Sequence, residues 1–329
     1  MKKLRLLIPI IVLAIAALTI WSRIEEKPPA TRPLKISLVP WIGNGVYYIA
    51  QEKGFFANEK VTVEFVDVSD IATARQLLQT GQVDIAYSLT PDSIAVLNDA
   101  GVKVKIVAAN DLSAGADGII ATKEIKTIED LKGRKVAFEV GSTSHFLLSY
   151  LLNQKDLTTK DIVVFESIAP DAGAAFVAGK ADAAVTWEPW LSQASQRDGG
   201  HLLASSKDAS IIFDMPIVRA ETADAREQDI KAMLRAVFAA KVWIDENPVE
   251  AAEVIAKAMK ITPQEAVDQM QTVAWLSYED NMRMLTTGTY SVQNAIQIAG
   301  DLWLKLGLIK TKLDASEVVD ESFLETLYQ

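Results

Sequence analysis

One short pattern occurs twice in the chain and restricts its fold more than any other feature. Residues 76–92 read QLLQTGQVDIAYSLTPD and residues 175–190 read AFVAGKADAAVTWEPW. Each has an apolar helical tail, then Gly-x-x-Asp-x-Ala, a short apolar strand and a turn marked by proline. Gly81 thus matches Gly179, Asp84 matches Asp182 and Ala86 matches Ala184. The glycine suits the left-handed position that stops a helix, the Asp suits the tight αβ turn, and the apolar run suits a buried strand. Two such units predict two similar α/β lobes. In open α/β sheets ligands bind at the carboxyl ends of the strands, so a cleft between the lobes is the expected site. Two αβ junctions inside one domain would give the same letters. What favours the cleft is the polar and aromatic content after each strand: Ser88, Thr90 and Asp92 after the first, and Thr186, Trp187 and Glu188 after the second.

A length of 329 residues, half of them apolar, exceeds one ordinary core and predicts two domains. The amino terminus has a basic start, KKLR, then the 16-residue apolar run LLIPIIVLAIAALTIW, then the charged, proline-containing SRIEEKPPATRP. Residues 1–28 therefore read as an export signal. The run is short for a membrane span, which takes about 20 residues. No Ala-x-Ala cleavage site is obvious after it, so an uncleaved anchor is the alternative. Either way the chain from about residue 33 onward is expected outside the cytoplasmic membrane. The chain has no cysteine, which excludes disulfides, thiolate metal sites and cysteine nucleophiles. The leader holds five bases and two acids, so its loss moves the net charge from −10 to −13. This balance argues against nucleic acid as a partner, since phosphate neutralisation needs clustered Lys and Arg.

From Leu34 the chain alternates strands and helices with short connections, the pattern of a parallel or mixed sheet. The first strand ends at Pro40-Trp41, and the loop Ile42-Gly43-Asn44-Gly45 lacks the lysine of a phosphate loop. Trp41 either walls a pocket or covers the core. The small-residue segment DLSAGADG, with Asp111, Ser113 and Asp117, is the expected first crossing between lobes. A second is expected at Asp214, before Met215-Pro216. Thr127 with Asp130 caps a short helix, and Gly141 precedes Ser142, Thr143 and Ser144 at the start of another. That helix start offers N–H groups and hydroxyls to an oxygen of a ligand. His145 reads as a structural imidazole. Trp187-Glu188-Pro189-Trp190 places an acid between two indoles beside the cleft. The remainder is helical packing, with a capping box at Thr262 and Glu265.

Several of these segments, in order, resemble periplasmic solute-binding proteins of ABC importers, in the nitrate/sulfonate/taurine and thiamine-pyrimidine-precursor group. They are Pro40 to Gly45, Ala50 to Phe56, TGQVDIA, Gly115 to Ala121, Ile128 to Ala137, Gly141 to Leu148 and GKADAAVTWEPW. Asn58-Glu59-Lys60 departs from the pattern at a turn. The resemblance implies a two-lobed α/β fold, type II-like, with two crossover segments. Residues 33–118 and 216–329 would form one lobe and residues 119–215 the other. It also implies a monomer, without cofactor or catalysis, that closes over a small solute and delivers it to a permease and its ATPase. Matching positions give the cleft as Trp41, Ser88, Asp92, Asp117, Ser142, Thr143, Trp187, Glu188 and Asp214. This set holds four carboxylates and no Lys or Arg. An anion would be costly there, so the expected solute bears a protonated or amide-like nitrogen. Aliphatic sulfonate or taurine binding is the alternative within the group. From another class, a thiamine-pyrimidine synthase shares the implied fold, but it carries a cysteine cluster.

Overall fold

The computed structural model describes residues 32–329, so the leader expected over residues 1–28 lies outside the described residues. Within Leu34–Gln329 the strands are β1 (Leu34–Leu38), β2 (Val63–Asp67), β3 (Ile85–Leu89), β4 (Val104–Ile106), β5 (Asp111–Ser113) and β6 (Asp117–Thr122). They continue as β7 (Lys135–Phe138), β8 (Val163–Glu166), β9 (Ala183–Trp187), β10 (Gly200–Ser205), β11 (Phe213–Arg219) and β12 (Val273–Trp275). Two mixed sheets result. One runs β12-β5-β11-β3-β1-β2, with β4 also paired to β11, and the other runs β10-β6-β9-β7-β8. The chain changes sheet between Ser113 and Asp117 and returns between Ser205 and Phe213. The strands thus set the change a few residues ahead of positions 118 and 215. The two connections are tied to each other: Ser113 Oγ lies 2.7 Å from Ser206 Oγ, and Gly115 N–H donates to the same Ser206 oxygen at 2.7 Å.

The repeated pattern has the same structural role in each sheet. Gly81 and Gly179 follow the helices Ile71–Gln79 and Ala169–Val177 with φ of 72° and 70°, the left-handed position that glycine adopts at no steric cost. The Asp three residues on does more than turn the chain. Asp84 Oδ2 accepts from Lys35 N–H at 3.0 Å, and Asp182 Oδ2 accepts from Lys135 N–H at 2.8 Å. Each carboxylate therefore pins the first residues of the adjoining parallel strand, β1 in one sheet and β7 in the other. The registers correspond as well, with Ile36 beside Ile85 and Val136 beside Ala183. Removing either acceptor breaks a hydrogen bond to a charged group, worth about 1–3 kcal/mol at half-buried Lys35 and less at exposed Lys135, where water takes its place. Asp84→Ala is expected to lower the unfolding free energy by that amount in urea titrations and Asp182→Ala by less, and Asp→Asn at either position, which keeps an acceptor, by less than its Ala counterpart.

Capping chemistry fixes several helix starts. Asp70 accepts from Thr73 N–H at 2.7 Å ahead of Ile71–Gln79, and both Thr127 with Asp130 and Thr262 with Glu265 form capping boxes. The core of the first sheet is closed by Tyr47, Tyr87 and Phe213, and that of the second by Phe138, Phe146 and Phe176. His145 lies in this packing, 5.3 Å from the Phe138 ring and 5.6 Å from Trp303. Burial holds its pKa down to about 4, and its Nδ1 accepts from Gly141 N–H at 3.1 Å, so it is a neutral structural imidazole.

Candidate ligand-binding site

The carboxyl ends of β1 and β3 and the start of β11 in one sheet face the start of β6, the end of β9 and the start of helix Thr143–Asn153 in the other. The side chains that meet there are Val39, Trp41, Ile71, Ser88, Thr90, Asp117, Thr143, Trp187 and Asp214. The room they leave is about 10 Å³, the space of a single water. Four contacts beside the chamber join its two sides. Thr90 Oγ1 and Thr143 Oγ1 are 2.8 Å apart, and Trp187 Nε1 donates to the Pro40 carbonyl at 3.2 Å. The Arg75 guanidinium donates to the Gly141 carbonyl, and the Glu139 carboxyl lies against the N–H groups of Ile71 and Ala72. A larger surface groove of about 520 Å³ lies between Lys241, Pro248, Met270 and Trp275. Its charged walls are already paired, Lys241 with Asp245, and it gathers no unpartnered buried group, so the small chamber is the chemically distinctive one.

Backbone geometry brings these groups together. Ser88 adopts φ of 62°, unusual for a residue with a side chain, opposite an irregularity in β11 between Met215 and Ile217. Its hydroxyl donates to Asn44 Oδ1 at 2.5 Å, and Asn44 Nδ2 donates to the Val39 carbonyl at 2.7 Å. Asp111 and Asp214 stand opposite each other in the β5/β11 ladder, on one face of the sheet. Asp111 accepts from Tyr87 OH at 2.6 Å and from Trp41 Nε1 at 3.2 Å. Burial pushes Asp111 up to about 7, and burial followed by the nearby Asp111 and Asp117 charges pushes Asp214 well above the usual carboxylate range. The two carboxyls titrate as a pair, and burial with their mutual repulsion favours one shared proton between them. Asp117 is also pushed up to about 7, chiefly by burial, and its Oδ2 has no hydrogen-bond partner.

An inventory of side-chain protons around the chamber follows from these bonds. The indole N–H groups of Trp41 and Trp187 are committed to Asp111 and Pro40, and the Ser88 hydroxyl to Asn44. Thr90 donates to Asp92, so in the Thr90–Thr143 pair it is Thr143 that donates. With Asp117 ionised, every lining side-chain donor is engaged within the protein. The lining side chains leave the Asp117 Oδ2 without a partner, beside the Asp214 carboxyl and hydroxyl oxygens able to accept. Among the described residues no Lys or Arg lines it.

Of the nine residues expected in the cleft, Trp41, Ser88, Asp117, Thr143, Trp187 and Asp214 line this chamber. Asp92 is buried just behind it, bonded by Thr90, with Arg75 as its nearest cation. Ser142 caps its helix, accepting from Ser144 N–H at 3.2 Å and donating to the Glu139 carbonyl at 2.8 Å. Glu188 turns away, accepting from Ser192 N–H at 3.1 Å and Ser192 Oγ at 2.8 Å. The sequence reading left out Thr90 and Asp111 as site residues, although both are polar residues next to strand ends.

This arrangement has known relatives. A protein of Brucella abortus named only as a binding protein is 23% identical over 290 residues, covering 87% of this chain and 89% of its own. The taurine-binding periplasmic protein of Escherichia coli is 24% identical over 204 residues, 61% of this chain and 63% of its own. Among solved structures, the periplasmic aliphatic sulphonate binding protein SsuA of Escherichia coli superposes with a TM-score of 0.74 at 22% identity, over 88% of this chain and 92% of that one. The fold is therefore that of the periplasmic binding proteins. A family model matches residues 27–260, and the chain belongs to the NMT1-like family.

Proposed function

We propose that the protein is the extracytoplasmic solute-binding component of an ABC importer, closing its two sides over a small nitrogen-bearing solute that is cationic, zwitterionic or amide-like. The observation that carries the choice of solute is Asp117: a buried carboxyl with an unpartnered oxygen, in a chamber whose side-chain donors are all engaged and whose lining holds no cation. A guest there has to bring hydrogen-bond donors, because a second acceptor against Asp117 and Asp214 would leave both unsatisfied. The contacts between Thr90 and Thr143 and between Trp187 and Pro40 exist only when the two sides meet, which suits capture by hinge closure. Export to the periplasm, a partner permease with its ATPase, and a binding rather than catalytic role agree with how the relatives are named. The buried, neutral His145 supports the non-catalytic reading.

Aliphatic sulfonate binding is the second reading, favoured by the SsuA likeness. A thermal-shift panel separates the two. Saturating a site at about 100 times its dissociation constant stabilises by about 2.7 kcal/mol, a shift of several degrees for a chain of this size. Small amines, amidines or amides are expected to give that shift and alkanesulfonates none. A shift from ethanesulfonate alone reverses the assignment.

A further inference from the structure

The acceptors of the chamber lie on both of its sides. Asp117 and Thr143 belong to one sheet's side, and Ser88, Thr90 and Asp214 to the other. A guest that satisfies them therefore needs donors that diverge in several directions. The indoles of Trp41 and Trp187 have their N–H groups engaged, so neither ring donates to a guest. The space is about 10 Å³, so each added heavy atom of the guest forces the two sides further apart and strains the contacts between them. Many divergent donors, positive charge and few heavy atoms are found together in a planar amidine-type cation. A primary ammonium gathers its three donors at one end, and urea has the right shape but no charge.

We propose that the guest is a compact cation of the amidinium or guanidinium class, its N–H fork directed to Asp117 with the Asp214 carboxyl as the opposing acceptor. The unpartnered Asp117 Oδ2 can take one N–H of such a cation while the Asp214 carboxyl takes another from the opposite side, a divergence that an ammonium, with its donors at one end, does not match. The acid charge needed to balance one guest is present without any lining cation to compete for it. Arg75, the nearest cation, is turned to the Gly141 carbonyl and to Ser93 Oγ at 3.4 Å. This inference rests on the reading of the chamber as the solute site.

The test is isothermal titration of the full chain, at neutral pH, with guanidinium, acetamidinium, methylammonium, urea and ethanesulfonate. One of the two amidine-type cations is expected to saturate, at least ~10-fold more tightly than methylammonium or urea. Asp117→Asn is expected to abolish that heat while the variant still melts cooperatively. If methylammonium or urea binds more tightly, the amidine assignment is overturned while the nitrogenous-solute reading stands. If ethanesulfonate alone binds, both are overturned. No saturable heat from either amidine-type cation up to ~10 mM overturns the assignment whatever else binds.

Discussion

Asp117→Asn is expected to raise the melting temperature of the ligand-free protein while reducing solute affinity by a factor of at least ~100. Both effects have one cause. The Asp117 carboxyl is buried, its Oδ2 has no partner, and the charges of Asp111, Glu188 and Asp92 add to the burial that pushes its pKa up to about 7. At neutral pH an ionised group in that place is a standing penalty on the order of a few kcal/mol, and the amide relieves it at nearly constant volume. A guest that carries positive charge draws most of its binding energy from the same carboxylate, so the stabilised variant loses its ligand. Glu188 serves as the contrast. Its carboxylate is bonded to Ser192 away from the chamber, so Glu188→Gln is expected to leave affinity within about 3-fold. Loss of stability together with unchanged affinity in Asp117→Asn would show that the carboxylate is structural.

The second large effect is on pH dependence, and its sign is unusual. Asp111, Asp117 and Glu139 are each held up to about 7 by burial, and Asp214 higher still. In the unfolded chain these carboxyls release their protons near pH 4. Between about pH 4 and 7 the native state thus binds more protons than the unfolded state, so stability falls as pH rises. His145 works against this. Held down to about 4 from an ordinary 6.5, it adds stability as pH rises through the same interval. It contributes one group against four, so the acids win. The ligand-free protein is expected to lose several kcal/mol of stability between about pH 5 and 8, read as a lower melting temperature at the higher pH. A curve that is flat or rises over that interval would mean the acids are solvated. Solute binding is expected to move the other way, strengthening as the acids ionise.

Much of the architecture can be read from local chemistry. Gly81 and Gly179 require a left-handed backbone and adopt one, and Thr127 with Asp130 and Thr262 with Glu265 close the boxes their spacing allows. The repeated Asp was legible as a turn residue. That it pins a neighbouring strand was not, because the partner N–H groups of Lys35 and Lys135 lie 49 and 47 residues away. The site divides along the same line. Trp41, Asp117, Trp187 and Asp214 stand at strand ends, and strand ends converge. Ser142 and Glu188 also stand at element ends, but each has a partner within four residues that claims its side chain. Asp111 is the opposite case. It matters because it faces Asp214 across the β5/β11 pairing, a register between segments a hundred residues apart that no local pattern encodes. Thr90 likewise acquires its role only from Thr143 on the far side of the chamber.

The central claim is that a chamber whose buried acids face no lining cation selects a positively charged donor. Proton exchange on binding tests it most directly, from calorimetric titrations of the bound solute in buffers of different ionisation enthalpy. A cation lowers the pKa of Asp111 and Asp117 from about 7, so net proton release is expected at about pH 6.5, fading above about pH 8. Net proton uptake at about pH 6.5, as an anion would impose on those carboxyls, would contradict it.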